Sequence, residues 1–232
     1  MSSLSLIFSK GTLPRAQSRG FTLVEMMVVV SIIIIMTGVV LAGLPGFRDR
    51  SSLDLVAQEV ALVIRQAQAF GSQTRGAFFG SNSPFPSYGV YINLSQGGIQ
   101  PSANSFVLFG DNKNTGTTKT FDLAGGICGV VNSECREVYN LSGGLVFTKV
   151  QLCESAGACQ DISNTTPLNI LFNRPNPEAA FNNGSGNSLD SSCTGGVCSY
   201  AKITLSSAKT NTVKNICVWS TGHIYVTSNL TC

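Results

Sequence analysis

The sequence predicts an α+β protein, a long N-terminal helix packed on an antiparallel, β-rich, disulfide-stapled head. Three observations carry that expectation. An uncharged apolar run, Met26 to Phe47, gives way to apolar residues recurring every three or four positions. From about residue 77 the pattern changes to short alternating or apolar runs separated by Gly, Asn and Ser. The eight cysteines all lie from Cys128 onward, in the C-terminal half.

The chain has 232 residues, enough for one or two domains with a sizeable core. It is 43% hydrophobic and only 12% charged, the latter about half the usual share. The formal charge of +3 is unevenly placed. Residues 1 to 20 hold Lys10, Arg15 and Arg19 and no acid, so the remainder balances at 12 basic against 12 acidic residues. A neutral remainder offers no broad electrostatic footprint for nucleic acid.

A helix of about 20 residues covers the roughly 30 Å hydrocarbon layer, so Met26 to Phe47 is long enough to cross a bilayer. The basic flank before it favours a cytoplasmic N-terminus. A cleaved secretory signal fits poorly, because its apolar core runs to about 15 residues and ends at an A-x-A-like site. A plain membrane anchor fits the length but leaves Glu25 unexplained. An ionisable group at the edge of such a run is costly unless it has a partner or a role. An assembly helix supplies both.

The segment Arg19-Gly20-Phe21-Thr22-Leu23-Val24-Glu25, followed by the apolar run, resembles the processing signal of type IV pilins and type II secretion pseudopilins. The resemblance implies that residues 1–20 are a leader and that an aspartyl prepilin peptidase cuts between Gly20 and Phe21. The same enzyme would methylate the new N-terminal Phe21. Glu25, the fifth residue after the cut, would meet the N-terminal amine of a neighbouring subunit and set axial register. A water-poor filament core tolerates a cation and a carboxylate mainly as a pair, which gives the transfer a physical basis. The leader is longer than the family's short basic ones. The expected helix break at Pro45, flanked by Gly43 and Gly46, falls slightly later than usual, and a kink or melted turn is expected there.

Residues 21–47 are thus expected to be the membrane and filament-core helix, and residues 48–76 an amphipathic continuation. In the latter, Leu53, Val56, Val60, Val63, Ile64, Ala67 and Phe70 make the core stripe. Asp54, Gln58, Glu59, Arg65 and Gln66 make the opposite face, and Gly71 and Gly76 bracket the end. Residues 77–232 form the head. Its candidate strands are 89–94, 105–109, 137–141, 145–152, 168–172, 201–205, 213–218 and 224–227, with a tight hairpin at Thr221-Gly222. Asn182 to Gly196 reads as an exposed polar loop.

Eight cysteines in an exported chain read as four disulfides in an oxidising compartment. Zinc is the rival, but its sites favour closely spaced pairs with histidines, and His223 is the single histidine. Near-neighbour pairing would give Cys128–Cys135, Cys153–Cys159, Cys193–Cys198 and Cys217–Cys232. Crossed pairings stay open among the 105 connectivities that eight cysteines allow.

No catalytic constellation emerges. His223 has neither a nucleophile nor an orienting acid in a motif around it. Asp111 to Gly116 has a calcium-loop flavour, but Lys113 stands where an oxygen ligand is wanted, so a polar turn is favoured. No cofactor, metal or enzyme activity is expected. The segments Tyr88–Tyr91, Phe106–Phe109, Phe172–Pro175 and the Ile216-to-Val226 hairpin resemble the heads of H-type minor pseudopilins and related minor pilins.

That resemblance implies a structural, minor-class subunit of a type II secretion pseudopilus or type IV pilus. Its partners would be the prepilin peptidase, other pilin or pseudopilin subunits and an inner-membrane assembly platform. It would sit as a single-pass protein in the inner membrane with the head outside the cytoplasm. The rival functions are a DNA-capturing minor pilin, which would need a basic stripe on the head, and a membrane-anchored adhesin that never assembles.

Overall fold

Apolar residues without interruption, followed by apolar residues in helical register, make one helix, α1, Leu23–Ser72. This computed structural model describes residues 20–73, 86–95, 102–111, 120–121, 128, 134–163, 166–173, 175–193, 196–229 and 231–232. The chain divides into two compact units, Met1–Leu44 and Pro45–Cys232. Helical geometry continues through residues 43–46, so the melted turn expected there does not form. A proline removes a single ladder hydrogen bond, and the turns on either side keep theirs. The helix ends at Ser72, short of Gly76, which lies outside the described residues.

The second unit holds two antiparallel sheets. Strands β1 (Tyr88–Ile92), β2 (Ser105–Gly110), β3 (Cys135–Asn140), β6 (Leu168–Phe172) and β7 (Ala179–Asn182) make the first, in the order β3-β2-β1-β6-β7. Strands β4 (Leu145–Cys153), β5 (Cys159–Asp161), β8 (Tyr200–Ser207), β9 (Val213–Trp219) and β10 (Ile224–Thr227) make the second, in the order β10-β9-β8-β4-β5. Eight of these match the candidate strands to within a few residues; β5 and β7 were not anticipated. Both are short and lack β-branched residues, and each exists by pairing: Asp161 with Gln151 in β4, and Phe181 with Ile170 in β6.

One hydrophobic core joins the helix to both sheets. Leu53, Val60, Ile64 and Ala67 of α1 meet Phe106, Ile170 and Phe172 of the first sheet and Phe147, Ile203 and Ile216 of the second, all buried. Close approach is built in by glycine. A Cβ at Gly71 would fall 2.5 Å from the Phe172 carbonyl oxygen, and one at Gly89 would fall 2.5 Å from that of Ile170 and 3.0 Å from the Phe109 ring.

Polar contacts lock the helix to the β9–β10 hairpin. Arg65 donates to the Ile224 carbonyl at 2.8 Å, and the Gln68 amide donates to the carbonyls of Pro177 and Gly222 at 2.9 Å each. The free edge of β10 is thus partly occupied by a side chain, one way to keep an edge strand from pairing with another chain. The hairpin turns through Ser220, Thr221 and Gly222, with the Trp219 N–H donating to His223 and Gly222 at φ +89°.

The reverse face of the first sheet has its own small cluster, in which Phe121 covers Val107, Phe109 and Leu171. Residues 182–196 are more than an exposed loop: Leu189 and Cys193 join the main core, and Asp190–Ser192 makes a 3₁₀ turn. A lone leucine among polar residues gives no periodicity to betray its burial.

Candidate processing and assembly segment

The first turn of α1 is set by Thr22. Its hydroxyl oxygen accepts the Glu25 N–H at 3.2 Å, and its carbonyl accepts the Met26 N–H at 3.2 Å. Thr22 is therefore the N-cap, and Thr-x-x-Glu is the sequence form of a capping box. Glu25 sits three residues into the helix, where the dipole favours an acid. Phe21 lies just outside the helix, 76% exposed. In the sequence, the signal for this cap is the three-residue spacing from Thr22 to Glu25.

Beyond Glu25 the helix shows apolar side chains on every face, with Leu23 through Leu41 broadly exposed. Among the described residues this is the one helix long and apolar enough to cross a membrane. Ser31 satisfies its hydroxyl internally by donating to the Met27 carbonyl at 2.8 Å, which suits a surrounding without water. Helical geometry places Gly43, Pro45 and Gly46 near the end of this stretch. Gly20 is exposed and Arg19 lies outside the described residues.

In the head the structure pairs Cys128 with Cys135, Cys153 with Cys159, Cys193 with Cys198 and Cys217 with Cys232. Cys153 and Cys159 are direct cross-strand partners that close the β4–β5 hairpin. Cys217 lies within β9 and ties down Cys232, whose carbonyl also accepts the Tyr225 hydroxyl. Among the described residues no group of three or more His, Cys, Asp or Glu side chains could hold a metal. Asp111 is buried, while the rest of the calcium-like stretch, residues 112–116, lies outside the described residues. His223 is exposed in the hairpin turn.

Charge on the outer side of the second sheet is largely internal. Lys149 and Asp161 pair at 3.0 Å and the Gln151 amide donates to Asp161 at 2.6 Å. Those two hydrogen bonds hold the Asp161 carboxyl below the usual carboxylate range. Burial, then repulsion from Lys149, lowers Lys202 beside them. Lys214 pairs with Asp54 of α1 at 2.5 Å.

A family model described as the prokaryotic N-terminal methylation motif matches residues 15–41. No curated protein and no solved structure matches the chain. The matched segment takes in the basic flank, the capped first turn with Glu25 and most of the apolar run. The match supports a type IV pilin-like subunit of the kind processed at its N-terminus, and the one apolar helix among the described residues fits a single-pass membrane anchor.

Proposed function

We propose that the chain is a structural, minor subunit of a type II secretion pseudopilus or type IV pilus. Prepilin peptidase removes the leader, residues 1–20, by cutting between Gly20 and Phe21, and methylates Phe21. Residues 21–47 then hold the subunit in the inner membrane as a single pass until the assembly platform draws it into a filament of pilin or pseudopilin subunits. There the N-terminal amine of one subunit and Glu25 of another form a pair that sets axial register. Pro45 marks where the apolar segment ends and bending is easiest. Residues 48–76 support the head, residues 77–232, which faces outward and meets partners.

The observation that carries the reading is a single acid in the first turn of an exposed, otherwise uncharged helix, inside the matched motif. A carboxylate there is favoured by the helix dipole but costly in lipid or in a dry bundle, so it calls for a cation that processing at Phe21 would create. The likeness of the head to H-type minor pseudopilins rests on its strand and hairpin segments alone. Four disulfides suit a head outside the cytoplasm.

Intact-mass measurement of the mature protein tests the processing steps together. The expected mass lacks residues 1–20, gains one methyl group and lacks the hydrogens of four disulfides. A full-length, unmethylated chain, isolated from a host whose peptidase trims its other precursors, overturns the proposal. Glu25→Ala is expected to leave membrane insertion intact and to lower incorporation into filaments about tenfold or more, as removing one partner of a desolvated pair costs a few kcal/mol. Quantifying the subunit in sheared filaments checks it.

A further inference from the structure

Beside β5, at the edge of the second sheet, lies a cavity of about 530 Å³, within the size range of small-molecule sites. One wall is β5 and the chain after it, with Gln160, Ile162, Ser163 and Thr166. The other is the 3₁₀ turn and its end, with Ser191, Ser192 and Cys193. Leu189 adds an apolar surface from the main core, and Ile162 packs against that same core.

Both walls are fixed without a ligand. The Cys153–Cys159 bond closes the β4–β5 hairpin, and the Cys193–Cys198 bond ties down the turn. Within the turn, the Ser192 and Cys193 N–H groups donate to the Leu189 and Asp190 carbonyls at 2.9 and 3.0 Å. Past β5, the Thr166 N–H donates to the Ser163 carbonyl at 2.9 Å. A site formed in advance loses less freedom when it binds.

The lining narrows the class of ligand. Asp161 is the one charged residue among the described residues that line the cavity, and its carboxylate is already held by Lys149 at 3.0 Å and Gln151 at 2.6 Å. With no lysine, arginine or histidine in that lining, a phosphate or carboxylate ligand would find no counter-charge. With no aromatic ring there, a flat base would find nothing to stack on. What remains is four hydroxyls and one amide, each able to donate and to accept, beside two aliphatic side chains. The ladder adds to them. Ala158 and Ile162 bond across to Glu154 and Val150, so alternation turns the main-chain groups of Asp161 toward the open edge. An added peptide strand would need a longer edge than the three residues of β5, and short edges are one way that sheets avoid such pairing.

We propose that this cavity binds a short neutral saccharide. Its hydroxyls bond to Ser163, Thr166, Ser191, Ser192 and Gln160, and a C–H face of the sugar ring lies against Ile162 and Leu189. The site goes beyond the filament role and does not depend on it, because every residue in it belongs to the head.

The test uses the full mature chain in micelles of a zwitterionic detergent without a sugar headgroup. Neutral di- and trisaccharides of glucose, galactose, mannose and N-acetylglucosamine are titrated and followed by saturation-transfer NMR. At least one is expected to bind, with a dissociation constant in the millimolar range as for an open site with few contacts. Ser191→Trp, which fills the cavity from an exposed position, is expected to abolish the signal. Gln160→Ala, also at an exposed position, is expected to weaken binding about fivefold or more by removing one hydrogen-bonding group. Both variants should keep the wild-type circular dichroism spectrum and denaturation midpoint; should Ser191→Trp misfold, Gln160→Ala carries the test. Binding that neither variant changes places the sugar elsewhere and overturns the inference, as does a panel in which no saccharide binds. Tighter binding of a uronic acid analogue than of its neutral parent, or capture of random heptapeptides that Ser191→Trp abolishes while no saccharide binds, overturns the ligand class. None of these results bears on Glu25 or on processing, so the filament reading stands or falls by its own experiments.

Discussion

Asn169 shows how a single polar residue organises the outer face of the first sheet. It is fully buried in β6, on the face opposite the main core. Its amide oxygen accepts the Phe121 N–H at 3.1 Å, and its amide nitrogen donates to the Asn183 carbonyl at 2.9 Å and the Thr120 hydroxyl at 3.2 Å. Phe121 is thereby held over Phe109 and Tyr91. Asn169→Ala leaves these groups buried without partners, so a loss of about 2–4 kcal/mol is expected in urea denaturation of the head. A change below about 0.5 kcal/mol, the size of an ordinary surface substitution, contradicts the clamp. Tyr139 gives a second residue-scale expectation. Burial, together with its 2.7 Å hydrogen bond to Glu137, raises its hydroxyl well above the ordinary range. Because the folded state holds this proton longer than the unfolded chain, stability present at neutral pH is lost as pH rises past about 10. In an ultraviolet titration, Tyr139→Phe should remove one tyrosine from the late-ionising group and leave the early ones unchanged. Loss of an early-ionising tyrosine instead would contradict the assignment.

Among elements, β1 depends most on a small residue. Val90 and Ile92 point into the main core while Gly89 lies between the Phe109 ring and the β6 backbone. Gly89→Ala is expected to cost about 1–3 kcal/mol, the range for overpacking a filled site. A thermal midpoint equal to wild type would show that β1 and β6 can part freely. The helix makes the complementary point. Its core stripe was legible in the sequence because apolar residues repeat at the helical period over five turns. Leu55 and Leu62 were passed over because a stripe is found by its majority face, and two residues on the other face look like noise until their exposure is known. Strands β5 and β7 were missed for a related reason: three or four residues show no period, and their partners in β4 and β6 decide their conformation.

For the whole molecule, the disulfides distribute stability unequally. In the chain-entropy account, the 15-residue separation of Cys217 and Cys232 is worth about 3 kcal/mol, and the five-residue separation of Cys193 and Cys198 about 2. Replacing Cys217 and Cys232 by Ala should therefore lower the head's denaturation midpoint more than replacing Cys193 and Cys198 by Ala. The reverse order would mean that native packing around the short loop, including buried Cys193 and Cys198, outweighs loop entropy. The molecule also keeps its two compact units chemically distinct. The first displays apolar side chains on every face, and the second encloses a core shared by both sheets and the amphipathic half of α1.

Composition and local order were enough to determine the helix, the membrane-length apolar run, the N-terminal methylation motif and the α+β class. Each depends on residues near one another in the chain: an uncharged stretch, a period, or a short motif containing Glu25. Tertiary structure decided the rest. Which cysteines meet, the strand order β3-β2-β1-β6-β7 beside β10-β9-β8-β4-β5, the burial of Asn169 and Leu189, and the outward face of Leu55 and Leu62 all depend on segments far apart in the chain. Such choices are made by competition for one shared core, and no local pattern records how that competition ends.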